Sequence, residues 1–144
     1  MDKINFQFRH INRIKFPIKH ILICEDDIEM QYEIFKHFKN IFESQGDVII
    51  SCVAGSIEAF ALIQTKCFDL IILDHDMPYG NGSDFLLALK QINFNIPIFT
   101  FSGCLANNNH MIKLGATYKF LKQDIIDGKA DNLIKSILFE KQKN

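Results

Sequence analysis

Asp69-Leu70-Ile71-Ile72-Leu73-Asp74-His75-Asp76-Met77-Pro78 is the stretch that decides the fold, because an unbroken apolar run passes directly into a polar cluster and a loop. A strand that is apolar at every position is typical of the centre of a parallel sheet, where both faces are covered. Ligands of open parallel sheets bind outside the carboxyl ends of the strands. We therefore expect the three polar residues after Leu73 to lie at a functional edge.

Three further apolar segments end in polar residues. The segments at residues 20–24, 97–101 and 118–121 are followed by Glu25-Asp26-Asp27, Ser102-Gly103 and Lys122 respectively. Together the four segments deliver acids, a hydroxyl and an ammonium group to one edge of the predicted sheet. Such a set can hold a divalent cation and a phosphoryl group.

Strand and helix patterns alternate along the chain. Besides the four segments, residues 48–52 form a strand pattern. Helices are predicted at about 27–45, from a cap at Ser56, from a cap at Ser83, weakly at 105–114, and at 130–140. Their predicted inward side chains include Ile28, Tyr32 and Phe35 in the first helix and Ile57 in the second. Gly46 is the expected stop of the first helix. Alternation of this kind predicts an α/β protein with a parallel sheet covered on both faces.

Among parallel-sheet topologies, a flavodoxin-like (βα)5 three-layer sandwich with the five-stranded order 2-1-3-4-5 fits best. Its switch point lies between strands 1 and 3. Those are the strands that carry Glu25, Asp26 and Asp74. The sequence therefore predicts that these three carboxylates are neighbours.

Composition limits the class of protein. The length of 144 residues suits one domain, and a net charge of −1 argues against direct nucleic-acid binding through a broad basic surface. No apolar run approaches the roughly 20 residues that span a bilayer, and the N-terminus does not have the pattern of a signal peptide. The four cysteines lack CxxC spacing, which favours a reduced, cytoplasmic compartment.

Residues 1–19 differ from the rest of the chain. They carry five basic residues against one acid, which suggests a boundary between a basic N-terminal arm (1–19) and the folded domain (20–144). One interpretation is a partly ordered arm. The other is a docking element for a partner or for a second copy of the chain.

Phosphoryl chemistry explains why these residue types would converge. A carboxylate can attack phosphorus and form an acyl phosphate, but it repels an anionic donor unless a cation is present. Mg²⁺ takes one or two carboxylates, phosphate oxygens and water. We expect Glu25, Asp26 and Asp74 to surround the cation, with Lys122 and Ser102 facing the phosphoryl oxygens. Asp27 is expected to cap the first helix.

From residue 20 to residue 140 the chain resembles the receiver domain of bacterial two-component response regulators. The matching motifs are the acid pair Glu25-Asp26, the run from Asp69 to Pro78, Gly82, the segment from Ile96 to Gly103, Gly115-Ala116 and Lys122. The resemblance implies that Asp74 is the phosphoacceptor, and that Ser102, Gly103, Lys122 and His75 surround the phosphoryl group. It implies Mg²⁺, for which Mn²⁺ could substitute, held by Asp26 and Asp74 directly, by Glu25 through water and by the Asp76 carbonyl.

The same resemblance implies a phosphoprotein in a two-component or phosphorelay pathway. Its chemistry would be limited to self-catalysed phosphoryl transfer to Asp74 and autodephosphorylation. The donor would be a sensor histidine kinase or a histidine phosphotransfer protein, and the downstream protein target is unknown. Because the chain ends after the last predicted helix, we expect no output domain; a homodimer is left open.

Two positions depart from the pattern of the family. Gln123 follows Lys122 where proline is usual, and we expect a trans bond there because a cis bond before a non-proline residue costs roughly 3 kcal/mol. Lys119 occupies a position that is commonly aromatic. The expected switch is therefore atypical, with residues 105–114 moving more than Tyr118.

Two alternatives remain from the sequence. A degenerate receiver would bind a partner without being phosphorylated. A haloacid-dehalogenase-like phosphatase would use Asp74-His75-Asp76 as its DxD motif. Against the phosphatase, that motif falls on the third strand, and the later acids Asp124 and Asp127 stand in the wrong context.

Overall fold

The structure, a computed structural model, describes residues 18–43 and 48–140. The strands are β1 (Lys19–Cys24), β2 (Val48–Val53), β3 (Leu70–Leu73), β4 (Ile98–Thr100) and β5 (Tyr118–Lys119). The helices are α1 (Ile28–Phe42), α2 (Ser56–Thr65), α3 (Gly82–Gln91), α4 (Leu105–Lys113), α5 (Lys122–Ile126) and α6 (Asp131–Phe139). Most of the predicted arm (residues 1–17) and the predicted stop at Gly46 lie outside the described residues. None of the described helices is long and apolar enough to cross a membrane.

The five strands form one parallel sheet in the order β2-β1-β3-β4-β5, which confirms the predicted topology. Strand β1 pairs with both β2 and β3, and Cys24 stands opposite Leu73 at the carboxyl end. Every residue of β3 is buried, as its continuous apolar sequence predicts.

Helices cover the sheet on both sides because alternate residues of each strand face opposite ways. On one side, Leu22 and Leu73 belong to a core that α2, α3 and α4 complete. On the other side, Ile23 and Ile72 belong to a core that α1, α5 and α6 complete. The result is the expected three-layer sandwich.

Two predicted helix caps are wrong, and one is confirmed. Ser56 is the first residue of α2 rather than its cap, and its hydroxyl donates instead to the carbonyl of Gly80 at 2.8 Å. Helix α3 is capped by Asn81, which forms a capping box with Asp84, and Ser83 lies inside the helix. Asp27 caps α1 as predicted, because its Oδ1 accepts hydrogen bonds from two backbone amides.

Three predicted core residues are exposed. Ile28 and Tyr32 of α1 are 68% and 59% exposed, and Ile57 of α2 is 66% exposed. Ile28 and Ile57 lie in the first turn of their helices, at the carboxyl edge where the sheet ends. Tyr32 is two positions before the buried Ile34, which places it on the opposite side of the helix.

The last two strands are shorter than predicted. The β4–β5 ladder ends at the pair of Thr100 and Lys119, and helix α5, which the sequence did not predict, begins at Lys122. Ser102 therefore lies in a loop beyond the ladder, and Lys122 lies at the start of a helix. All peptide bonds in the described parts of the chain are trans, including the bond before Gln123.

Gly82 is required where the loop after β3 turns into α3. Its amide donates to the carbonyl of His75 at 2.7 Å, and a Cβ at this position would overlap the carbonyl oxygen of Asp74 and lie 2.7 Å from Met111 Cε. We predict that Gly82→Ala lowers the free energy of unfolding by about 1–3 kcal/mol, because a crowded site must shift to admit the methyl group. Urea denaturation measures the change.

The matched control is Gly103→Ala, because a Cβ at Gly103 would meet no atom of residues 18–43 or 48–140 within 4 Å. This variant should unfold at nearly the same urea concentration as the wild type. Equal stability of the two variants would contradict the proposed role of Gly82.

Candidate functional site

Two acids are placed side by side by neighbouring parallel strands. Glu25 directly follows β1 and Asp74 directly follows β3, and the Asp74 amide donates to the carbonyl of Cys24 at 3.0 Å. Glu25 and Asp74 are buried, with 0% and 1% of their surface exposed, whereas Asp26 is exposed. Carboxylate oxygens of Glu25, Asp26 and Asp74 all lie within 4.8 Å of one another. The predicted convergence of these three acids is therefore present.

Lys122 extends from the start of α5 to both buried acids. Its Nζ lies 2.7 Å from Glu25 Oε1 and 3.3 Å from Asp74 Oδ2. The same ammonium lies 5.7 Å from the centre of the Phe101 ring, a distance at which a cation–π attraction contributes. The lysine is thus held between two carboxylates and an aromatic face.

The site is electrostatically crowded. Burial and, to a lesser extent, the adjacent Asp74 raise the pKa of Glu25 to about 8, even though Lys122 partly offsets them. Burial by itself would lower the pKa of Lys122, but its hydrogen bond to Glu25 and the charges of Asp74 and Glu25 outweigh burial and raise it. One ammonium group is therefore shared by two buried carboxyl groups.

The residues present fit a divalent cation. Glu25 Oε2 is buried and has no hydrogen-bond partner among the described residues. A buried carboxylate oxygen without a partner is costly unless a cation or an ordered water meets it. The donor set consists of carboxylate oxygens, which Mg²⁺ and Mn²⁺ prefer. The arrangement can therefore hold such an ion at Glu25, Asp26 and Asp74.

The predicted hydroxyl residue lies in the loop after β4. Ser102 is buried, and its Oγ accepts a hydrogen bond from the Cys104 amide at 3.1 Å. Its own hydrogen remains able to donate to a ligand. Gly103 is exposed, and its lack of a Cβ relieves no contact within the protein.

His75 interacts with both of its neighbours in the chain, Asp74 and Asp76. The His75 amide donates to Asp74 Oδ1 at 2.8 Å, and His75 Nδ1 lies 2.9 Å from Asp76 Oδ1. The Asp76 side chain is 76% exposed. The His75 amide thus fixes one oxygen of Asp74, while Lys122 faces the other.

Sequence reasoning missed Asn108 of α4. This residue is 1% exposed, and its carboxamide bonds with the backbone of Ser102. From the sequence, the Asn107-Asn108-Asn109 run predicts only a weak helix, because asparagine has poor helix propensity. The available signal was spacing, since Asn108 precedes the buried Met111 by three positions and shares its helix face.

The comparison with protein-family models identifies the class. The model described as "Response regulator receiver domain" matches residues 21–135, so the chain belongs to this family. The match covers most of the residues that build the sheet and the site.

Solved structures agree with this assignment. The receiver domain of the Francisella response regulator 1452 is 28% identical with a TM-score of 0.63, covering 81% of this chain and 97% of that chain. The phosphorylated cyanobacterial phytochrome response regulator RcpA is 18% identical with a TM-score of 0.73, covering 88% and 98%. The Mn²⁺-bound response regulator Rcp1 is 21% identical with a TM-score of 0.67, covering 87% and 97%. At these lower identities the last two show a shared fold.

The raised pKa of Glu25 predicts a pH-dependent stability when divalent cations are removed. Its folded-state pKa of about 8 exceeds the ordinary value of 4.5, so the folded state keeps a proton that the unfolded state loses. The stabilisation that protonated Glu25 gives to the folded state is fully present below the ordinary pKa of 4.5. It is lost as the pH rises toward 8, at up to about 1.4 kcal/mol per pH unit. Glu25→Gln should flatten this slope, as urea denaturation between pH 5 and pH 8 would measure.

Glu33→Gln is the control, because the Glu33 side chain is 47% exposed and, within the described parts of the chain, pairs with Lys36 at 3.4 Å. Its pH profile should parallel that of the wild type. A Glu25→Gln profile that also parallels the wild type would contradict the prediction.

Proposed function

We propose that this chain is a phosphoacceptor receiver in which Asp74 is phosphorylated in a Mg²⁺-dependent reaction and which signals through protein contacts. One observation carries the proposal: Lys122 contacts both Glu25 and Asp74, while Glu25 Oε2 has no hydrogen-bond partner in the part of the chain that the structure describes. Burying two carboxylates beside one ammonium group costs free energy unless a cation and an anion complete the set.

Asp74 supplies the nucleophile. One of its carboxylate oxygens forms a bond to phosphorus as the bond to the donor's leaving group breaks, which yields an acyl phosphate. The His75 amide already holds Oδ1, and Lys122 faces Oδ2. The backbone and the lysine thereby orient the carboxylate before the donor arrives.

Glu25, Asp26 and Asp74 would hold the cation, with Asp26 and Asp74 as direct ligands, Glu25 acting through water and the Asp76 carbonyl as a further ligand. Bound Mg²⁺, or Mn²⁺ in its place, would neutralise charge on the transferred group and orient the donor. Ser102, Lys122 and the amides of Gly103 and His75 would receive the phosphoryl oxygens. The acquired charge of about −1.5 to −2 would draw Ser102 and Lys122 toward Asp74.

Partners follow from this chemistry. A phosphohistidine on a sensor kinase or on a phosphotransfer protein is the proposed donor, and a protein target reads the phosphorylated surface. No broad basic surface is expected for nucleic acid, since the net charge is −1. We place the domain in the cytoplasm, where its four cysteines would stay reduced.

Incubation with acetyl phosphate and Mg²⁺ should add one phosphoryl group to the wild-type protein, measured as intact mass. Without Mg²⁺ the group should not appear, because the acids then repel the donor. Asp74→Ala should abolish the addition, and beryllofluoride, a phosphoryl mimic, should bind the wild type under the same conditions.

Asp127→Asn is the matched control for Asp74→Ala. Asp127 is exposed, follows α5 and accepts a hydrogen bond from Gln123 at 2.8 Å. This variant should be phosphorylated like the wild type, whereas a phosphatase that used Asp127 as its later acid would lose activity. If the folded, Mg²⁺-loaded wild type takes up neither phosphoryl group nor beryllofluoride, the chain is a degenerate receiver.

Asp76 and Cys104 should set the lifetime of the acyl phosphate. Asp76 is two residues after the proposed phosphoacceptor, Cys104 is two after the hydroxyl residue, and both residues are exposed to solvent. Replacing either one, as in Asp76→Ala or Cys104→Ala, should change the rate of dephosphorylation without abolishing phosphorylation. Loss of the phosphoryl group can be followed by intact mass after the donor is removed, and unchanged half-lives in both variants would remove the claim.

A further inference from the structure

The buried carboxamide of Asn108 connects three segments of the protein. Its Oδ1 accepts from Thr100 Oγ1 and from the Ser102 amide, both at 2.9 Å. Its Nδ2 donates to the carbonyls of Ser102 at 3.1 Å and Phe120 at 2.9 Å. These four bonds use the two donors and both acceptor positions of the group.

The partners fix the orientation of this carboxamide. The Ser102 amide can only donate, so it requires an oxygen, and the two carbonyls can only accept, so they require the NH2 group. A flipped carboxamide would leave three of the four contacts mismatched in a buried place. The group is therefore held in one state.

Asn108 joins the two chain segments that follow the end of the β4–β5 ladder. The backbone pairing of β4 with β5 ends at Thr100 and Lys119, with one further bond from the Phe120 amide to the Thr100 carbonyl at 2.9 Å. Ser102 and Lys122 lie beyond that point. Asn108 bonds both backbone groups of Ser102 and the carbonyl of Phe120, two residues before Lys122. It thus links the loops that carry the two proposed phosphoryl contacts.

Neighbouring side chains do not provide such a link. Lys119 Nζ reaches outward to Asn109 Oδ1 at 2.6 Å, in an exposed contact. Tyr118 is 41% exposed, and its ring meets Phe99 edge-on. Neither side chain is recorded in a hydrogen bond to Ser102 or Phe120.

We propose that Asn108 is a positioning residue, which sets the geometry of Ser102 and Lys122 for the phosphoryl group and passes movement of Ser102 to helix α4. The inference rests on the proposed phosphorylation of Asp74. A phosphoryl oxygen that attracts the Ser102 hydroxyl also pulls the Ser102 backbone. Because both backbone groups of Ser102 are bonded to one side chain of α4, the helix must follow or break those bonds.

Beryllofluoride with Mg²⁺ serves as the probe, and calorimetry measures the affinity of each separately. Asn108→Ala should lower the affinity for beryllofluoride about tenfold, because the loops of Ser102 and Lys122 lose the side chain that joins them. Thr100→Val, which removes only one of the four bonds, should cause a smaller loss. Mg²⁺ affinity should change far less in both variants, since the hydrogen bonds of Asn108 among the described residues go to Thr100, Ser102 and Phe120 and not to the three acids.

Asn109→Ala is the matched control, because Asn109 is adjacent but exposed. It should bind both Mg²⁺ and beryllofluoride like the wild type. A second measurement uses the wild type alone and does not depend on the variants folding. The side-chain NH2 resonances of Asn108 should shift on beryllofluoride binding, and those of Asn109 should shift far less.

The outcomes separate this inference from the proposed function. If the wild type fails to bind beryllofluoride with Mg²⁺, the proposed function is wrong and this inference falls with it. If the wild type binds it while Asn108→Ala binds equally well, or while the Asn108 resonances stay unchanged, only this inference is overturned. Equal loss of Mg²⁺ and beryllofluoride affinity in Asn108→Ala would show a merely structural residue and would also overturn it.

Discussion

The contact of Lys122 with Glu25 and Asp74 is the interaction on which the site depends. Two carboxylates at the carboxyl ends of adjacent strands are removed from water, and burial of charge costs several kcal/mol per ion unless it is compensated. A single ammonium group compensates only part of that cost, which is why the pKa of Glu25 is raised. The charges and hydrogen bonds of the site are therefore only partly balanced by the described residues. A divalent cation with a phosphoryl group would complete them.

The remainder of the fold keeps these groups in register. Strands β1 and β3 pair directly, so the positions of Glu25 and Asp74 are set by backbone hydrogen bonds rather than by side-chain preference. Gly82 lets the loop after Asp74 turn closely enough for α3 to begin beside it. The polar edge of the sheet is thus rigid where the acids and the loop after them lie.

The opposite half of the site is built differently. Ser102 and Lys122 lie beyond the short β4–β5 ladder, and the Asn108 side chain joins their loops. Side-chain bonds of this kind can be exchanged without unravelling a strand. The acids are thus held by backbone pairing, and the loops of Ser102 and Lys122 are joined by a side chain, a division that would suit the proposed response to phosphorylation.

The sequence by itself determined the parallel sheet, its strand order and the convergence of Glu25, Asp26 and Asp74, because apolar strands with polar ends and right-handed crossovers leave few arrangements. It also placed Lys122 and Ser102 at the same edge. Only the tertiary structure decided that Gly55 and Asn81 cap α2 and α3 in place of Ser56 and Ser83. It also decided the exposure of Ile28 and Ile57, the start of α5 at Lys122 and the position of Asn108. Periodicity predicts which residues can share a face, but it does not show where a sheet ends. Nor can it show which distant backbone groups a buried polar side chain will meet.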